Sequence, residues 1–408
     1  MKCPFSKSRV IAPISALPFA EPRSKITLAM RILIAPDKFK DCLSAIAVAN
    51  AIADGLRRVD PNVQIDLCPL ADGGEGTAEV LVNSLGGEWR ETRVTGPLPE
   101  MKVTARFGLI ENGKTAVMEM ASAAGLALLK PQQRNPMYTT TFGVGELLMA
   151  AAHAGASQVI LGIGGSATID GGIGCAQACD LPVILQDGEP LSRTEPLTGC
   201  DISRVVLIKH GRGSAIEKIK IAVACDVDNP LYGPRGAAHT FGPQKGASAR
   251  EIEQLDTDLR ELARRCVKTA EAELPGAGAA GGLGFGMVAF FGATLRPGVQ
   301  IVLEAVKFTE RLRGVDLCIT GEGKLDAQTL GGKTVAGVAI AARRAGVPCI
   351  ALAGLVQKNL QPSDLSLKAA IAVSDPNAPL ADSLATALHR LADSAAQLMR
   401  DLPRLRKK

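Results

Sequence analysis

The 408 residues are 47% apolar and 21% charged, a composition that suits two domains, or one large one, with ample core, and that rules against long disorder. Aromatic residues make up 3%, with one Trp and two Tyr, too few to build stacking platforms for single-stranded nucleic acid. Of the net charge of +5, all but one unit lies in residues 1–29, where five basic residues face Glu21, and the nearly neutral remainder argues against nucleic acid as the main partner.

Residues 1–29 lack an apolar stretch long enough for a secretory signal and read as a disordered N-terminal extension. No run reaches transmembrane length, so no membrane partner is expected. From Met30 strands alternate with helices. Ile32–Ala35 reads as a buried strand ending at Pro36, and a helix follows from Ser44 with Val48, Ile52 and Leu56 on one face. Val63, Ile65 and Leu67 alternate as a second strand running into the Asp72 loop, and Thr77 to Leu85 reads as a helix stopped by Gly86 and Gly87. Residues 94–120 are short strand pieces broken by Gly-Pro and Asn112-Gly113, which predict turns or hairpins. A helix then reaches Gly155 and the strand Val159–Leu161 opens into the Ser166 loop. Residues 181–215 are polar and weakly patterned, and no order is assigned to them. Ile219–Cys225 reads as a strand, and residues 249–273 as a charged amphipathic helix, most simply a solvated surface element. The glycine-rich run 275–286 lacks polar residues, so it reads as a tight loop packed against something rather than a linker. Val315–Thr320 and Pro348–Gly354 are late strands, and the last helix spans about Asp382 to Leu402. The pattern is that of a doubly wound α/β fold, in which ligands sit outside the carboxyl ends of the strands.

Three loops combine glycines with acids: Ala71-Asp72-Gly73-Gly74-Glu75-Gly76-Thr77, Gly162 to Gly172, and Thr320-Gly321-Glu322-Gly323-Lys324-Leu325-Asp326. Glycines let backbone N–H groups close around phosphate oxygens, while carboxylates suit a divalent cation, so the set points to a polyanion and a cation. Two tempting motifs fail. Gly332-Lys333-Thr334 ends like a P-loop, but the required earlier glycine falls on Ala327, and the dinucleotide fingerprint begun at Gly162 places its third glycine on Ala167. The ten Cys show no C-x-x-C pair and read as reduced structural thiols.

The chain resembles the bacterial-type glycerate kinases that make 2-phosphoglycerate. The resemblance is carried, in order, by Ala35-Pro36-Asp37-Lys38-Phe39-Lys40, by 71–77, by Val94-Thr95-Gly96-Pro97-Leu98 and by Glu119-Met120-Ala121. It continues through Arg134-Asn135-Pro136, Thr139-Thr140-Thr141, Gly164-Gly165-Ser166-Ala167-Thr168, 224–230 and Phe241-Gly242-Pro243-Gln244-Lys245-Gly246, and ends with 276–282 and 319–323 with Asp326. The resemblance implies ATP-dependent phosphorylation of D-glycerate at the 2-hydroxyl with Mg²⁺, in the cytoplasm. It also implies two α/β domains, one doubly wound and Rossmann- or flavodoxin-like, the second inserted into it, with the active site in the cleft between them. The first domain is drawn as 30–90 plus 290–408 and the inserted one as 91–289.

Site residues follow from the matched positions. Asp72, Asp326 and Lys40 are the catalytic candidates. Asp37, Lys38, Glu75, Thr77, Arg134, Lys245, Glu322 and Lys324 are candidates for substrate. Gly164, Gly165, Ser166, Thr168, Gly281 and Gly282 are candidates for ATP phosphates. Asp170, Asp226 and Asp228 are candidate metal ligands, with a helix cap for Asp170 and turn chemistry for the other two as the competing readings. Ile169 stands where the family usually has Asn, and Lys324 where Arg is usual. Two other readings stay open: a kinase of another small hydroxy acid, and a catalytically impaired ligand-binding protein of the same fold. The oligomeric state is not legible.

Overall fold

The structure is a computed structural model that describes residues 29–405 apart from 41, 187, 189, 190, 192, 193, 210–214, 331, 332 and 375–379. The expected disordered extension lies outside the described residues, except for Ala29. In chain order the first strands are β1 (Arg31–Pro36), β2 (Gln64–Leu67), β3 (Glu88–Thr95), β4 (Lys102–Ile110) and β5 (Thr115–Glu119). The middle of the chain adds β6 (Gln158–Gly162), β7 (Val183–Leu185), β8 (Val205–Ile208), β9 (Lys220–Ala224) and β10 (Thr294–Arg296). The last are β11 (Leu317–Gly321), β12 (Lys324–Leu325), β13 (Cys349–Ala353), β14 (Leu355–Val356) and β15 (Ala369–Ala372).

The chain divides into two compact units: residues 1–72 with 302–408, and residues 73–301. The sequence reading drew the division at 90/91 and 289/290.

The first unit is built on a parallel sheet of order β15-β13-β11-β1-β2. Its central strands are apolar on both faces, as a parallel sheet covered by helices requires. Ile32, Ile34, Leu317, Ile319, Ile350 and Leu352 pack on Val48, Ile52 and Leu56 of the helix Ala45–Arg57 and on Leu391 and Leu398 of the helix Leu380–Leu405. Ser44 caps the first of these helices, accepting from the Ala47 N–H at 3.2 Å. The two helices meet closely at Gly55, where a Cβ would lie 2.0 Å from the Ala392 carbonyl oxygen. From β1 the chain steps to one side, to β2; from β11 it steps to the other, to β13 and β15. The order therefore reverses between β1 and β11, and their carboxyl ends form the crevice in which open α/β sheets bind ligands.

The second unit has a sheet of order β10-β9-β6-β5-β4-β3. Strands β5, β6, β9 and β10 run parallel, and β3-β4-β5 form an antiparallel meander. The turn from β4 to β5 contains Glu111, Asn112 and Gly113, all at positive φ, as the Asn-Gly pair predicts.

Three local expectations change. The helix from Ala249 stops at Arg265, because Val267 adopts a left-handed φ of 55°, and only the turn Thr269–Ala272 follows. Its apolar face is buried through Leu255, Leu259 and Leu262, as the amphipathic pattern expects, while the opposite face stays exposed. The unassigned stretch 181–215 contains the antiparallel pair β7-β8. The run 275–286 is the entry to a helix, Ala279–Phe291, whose first turn is interrupted by left-handed Ala280, Gly281 and Gly282.

Candidate active site

In the first unit the loops after β1 and β11 carry the acids. The Asp37 N–H donates to the Gly321 carbonyl at 2.8 Å, which ties the two loops together. Asp37 is 6% exposed and its carboxylate accepts from the Thr334 hydroxyl and, at 2.6 Å, from the Lys38 N–H. Burial, followed by the nearby charge of Asp72, raises its pKa from 3.8 to about 6. Glu322 is 8% exposed and accepts from the Thr329 hydroxyl. Burial first, then the charges of Asp37 and Asp326, raise it from 4.5 to about 7, against the opposing effects of Thr329 and Lys333. Asp326 donates its N–H to Thr329 Oγ1 at 3.2 Å, so Thr329 bridges the two acidic residues. Lys324 is exposed and pairs with Asp326 at 3.1 Å. Lys40 is exposed in the turn after Phe39, and Lys38 and Asp72 are half-buried.

The loop after β11 is pinned from behind. Leu355 N–H donates to the Gly323 carbonyl at 3.0 Å, and β12 pairs with β14. A Cβ on Gly354 would lie 2.4 Å from the Gly323 oxygen, so only glycine permits this approach.

In the second unit the candidates gather at the carboxyl ends of β5, β6 and β9. Glu119, at the end of β5, accepts from the Gly76 and Ala78 N–H groups at 2.9 and 3.0 Å and so caps the helix Thr77–Leu85. Thr77 is buried and donates to the Gly74 carbonyl at 2.7 Å, while Glu75 is exposed. Beyond β6, Gly164 and Gly165 are exposed, with Gly165 at φ 72°. The loop then turns inward. Ser166, Ala167, Thr168, Ile169 and Asp170 are all buried. Lys245, 2% exposed, donates to Ser166 Oγ at 2.6 Å and to the Thr168 carbonyl at 2.7 Å. Burial lowers its pKa from 10.5 to about 7, only partly opposed by Asp170.

Gly281 and Gly282 support this loop rather than stand apart from it. The Gly171 N–H donates to the Gly281 carbonyl at 3.1 Å, and a Cβ on Gly281 would lie 1.8 Å from the Thr168 oxygen. The packing partner of the glycine-rich run is therefore the Ser166 loop. Gly246, at φ 89°, lies against the Arg134 carbonyl, which brings the Arg134 segment beside Lys245.

Asp170 is fully enclosed. Its Oδ2 accepts from the Thr141 N–H and hydroxyl, both at 2.7 Å, and its Oδ1 accepts from the Gly172 N–H at 3.1 Å. These bonds favour the capping reading over the metal one. Burial raises its pKa despite them. Asp226 and Asp228 are exposed, and Asp226 accepts from the Gly298 N–H at 2.9 Å. Among the described residues no three His, Cys, Asp or Glu side chains are placed to hold a metal ion.

The structure thus brings Asp37, Asp72, Glu322 and Asp326 together in the first unit. Ser166, Thr168, Gly281, Gly282, Arg134 and Lys245 gather in the second. Thr334, Thr329, Thr141 and Glu119 were not singled out as site residues. Thr334 was visible only as part of the failed P-loop match, and Glu119 only as part of a matched stretch.

Comparison with known proteins agrees with this architecture. The profile of the glycerate kinase family matches residues 32–403. A glycerate kinase of Halalkalibacterium halodurans is 48% identical over 79% of this chain and 85% of its own. The glycerate 2-kinase of Escherichia coli is 43% identical over 80% of this chain and 85% of its own. A Salmonella typhimurium LT2 crystal structure, described provisionally as glycerate kinase 2, superposes with a TM-score of 0.82 at 39% identity, covering 93% of this chain and 100% of that one. The chain belongs to the glycerate kinase family and is a kinase.

Proposed function

We propose that the protein transfers the γ-phosphoryl group of ATP to the 2-hydroxyl of D-glycerate, with Mg²⁺, giving 2-phospho-D-glycerate and ADP. The observation that carries this reading is the buried carboxyl pair Asp37 and Glu322 at the β1/β11 crossover of a chain from this family. The 2-position follows the name of the Escherichia coli relative.

Phosphoryl transfer asks the protein mainly for positioning and charge neutralisation. Glu322, with a carboxyl group poised near 7, takes the proton of the attacking hydroxyl. Asp72 and Asp326 orient that hydroxyl, and the exposed ammonium of Lys40 receives the glycerate carboxylate. In the second unit Gly164, Gly165 and Ser166 receive ATP phosphates, braced from beneath by Lys245, Gly281 and Gly282.

The donor chemistry fits Mg²⁺. Asp37, Asp72 and Asp326 offer hard carboxylate oxygens, and burial together with the charge of Asp72 raises Asp37, a cost that a cation relieves. The exposed Asp226 and Asp228 offer further oxygens in the second unit. When bound, Mg²⁺ supplies neutralisation of phosphate charge. Such an ion keeps several waters and shares substrate phosphates, so it needs no cage of protein ligands. We place the activity in the cytoplasm, which suits the nine described cysteines, which form no disulfide among the described residues.

The test is a coupled assay with ATP, Mg²⁺ and D-glycerate, with the product identified by ³¹P NMR. Formation of 2-phosphoglycerate that needs Mg²⁺ and is lost in Glu322→Gln supports the reading. Phosphorylation at the 3-position, or of a different hydroxy acid alone, overturns it.

A further inference from the structure

Lys245 and Ser166 form a pair that phosphate binding alone does not explain. Lys245 Nζ lies 2.6 Å from Ser166 Oγ and 2.7 Å from the Thr168 carbonyl, and the lysine is almost wholly enclosed. Among the described residues no carboxylate lies within ion-pair distance of the lysine, and the Phe241 ring centroid lies 6.0 Å from Nζ. A neutral amine can use both partners: one N–H serves the Thr168 carbonyl, and the lone pair accepts the Ser166 hydroxyl proton. Burial favours the same form, holding the amine at about 7. Nucleophile, base and a group that orients the base are thus in hydrogen-bond reach in sequence, the arrangement of an activated serine.

A second feature lies in the same loop. Thr168 Oγ1 is fully buried and has no hydrogen-bond partner in the protein. Buried hydroxyls are nearly always paired, so an unmet donor two residues from Ser166 calls for an acceptor that the chain itself does not supply.

We infer that Ser166 is a phosphoryl acceptor in its own right: when glycerate is absent its hydroxyl attacks the γ-phosphorus of ATP, with Lys245 as the base. The bond formed joins Ser166 Oγ to the γ-phosphorus. The bond broken joins that phosphorus to the β,γ-bridging oxygen, whose electron pair leaves with ADP. The serine proton passes to Lys245 Nζ, and the new ammonium faces the phosphoryl dianion. The phosphoryl oxygens also give the Thr168 hydroxyl an acceptor. This inference rests on the reading of the Ser166 loop as the ATP phosphate site.

The experiment uses the full chain with γ-labelled ATP and Mg²⁺ in the absence of glycerate, with the label located by peptide mass spectrometry. A phosphoryl group is expected on Ser166, forming faster as pH rises through about 7. It is expected to vanish in Ser166→Ala and to fall at least tenfold in Lys245→Arg, which keeps a charge but cannot act as the base. ATP binding and thermal melting show whether each variant is folded. If Lys245→Arg folds poorly, the wild-type pH profile and Ser166→Ala still decide. No label on Ser166 in a wild-type protein that binds ATP, or an unchanged rate in a folded Lys245→Arg, overturns the inference. Failure of the glycerate reading looks different: Ser166 is labelled while D-glycerate is not phosphorylated. Turnover of D-glycerate without label on Ser166 defeats the serine inference alone.

Discussion

Glu322 and Asp37 show how one side chain is tuned by what encloses it. Each carboxyl is held up by burial and by a neighbouring acid, and each keeps one threonine hydroxyl as a donor. If Glu322 is the base, kcat rises with pH through about 7. Glu322→Gln is expected to lower kcat by about 10²–10⁴-fold and to remove that rise, which a pH–rate profile measures directly. Ile169 settles a different question. It stands in place of the usual Asn, yet its side chain is 0% exposed and belongs to the apolar core of its unit. Ile169→Asn buries an amide without built partners and is expected to cost about 2–5 kcal/mol in denaturant melts. A gain in activity on that change would instead support the impaired reading. Asp72 and Glu322 were legible in the sequence because an acid among glycines at a strand end has little packing purpose. Thr329 and Thr334 were not, because a threonine at a helix start looks the same whether or not it serves a carboxylate.

At the level of elements, the decisive joint is the contact between the Ser166 loop and the start of the helix Ala279–Phe291. Gly281 combines a positive φ with a near approach of its α-carbon to the Thr168 carbonyl. Gly281→Ala therefore incurs both backbone strain and a clash, and is expected to destabilise by about 3 kcal/mol or more and to raise KM for ATP. Gly346→Ala is the control: its φ is 72° but nothing lies within 4 Å of the added carbon, so it is expected to cost only about 1–2 kcal/mol and to leave KM unchanged. Equal losses in both, read by urea unfolding, would remove the clash from the account. The sequence predicted a packed loop at 275–286 from its lack of polar residues, but not that the loop opens a helix. Glycine density suppresses the helical signal, and the register of the following turn is set by the carbonyls it packs on. The short strand Ala369–Ala372 went unread for a related reason: three alanines around Ile371 carry little strand signal until a neighbour such as β13 pairs with them.

At the scale of the molecule, three buried groups tie stability to pH. Asp37 and Glu322 have folded pKa values raised to about 6 and about 7, so the stability they contribute is full below their unfolded values of 3.8 and 4.5 and is lost as pH rises through the folded ones. Lys245 is depressed from 10.5 to about 7, so its contribution is full above 10.5 and is lost as pH falls toward 7. All three are least favourable near neutrality. Glu322→Gln is thus expected to melt progressively higher than the wild type as pH rises from about 4.5 to about 7, with a constant gap above that. A gap independent of pH, measured by calorimetry across that range, would show that Glu322 is not protonated by burial.

The alternation of apolar strands and amphipathic helices, the acids among glycines and the collinear family motifs were all properties of the sequence, and they determined the α/β class, the family and the loops that carry chemistry. Those signals are local: periodicity needs a dozen residues and a glycine-acid loop needs seven. The strand order decided something no local window contains. It is the reversal between β1 and β11 that sets Asp37 beside Glu322, residues 285 positions apart in the chain, and so adds the charge of Asp37 to the burial that raises Glu322. In the same way, the enclosure of Lys245 by a loop nearly eighty residues upstream decided that a surface-type residue became a buried amine. A pKa depends on the dielectric and the charges around a group, and both are set by tertiary packing.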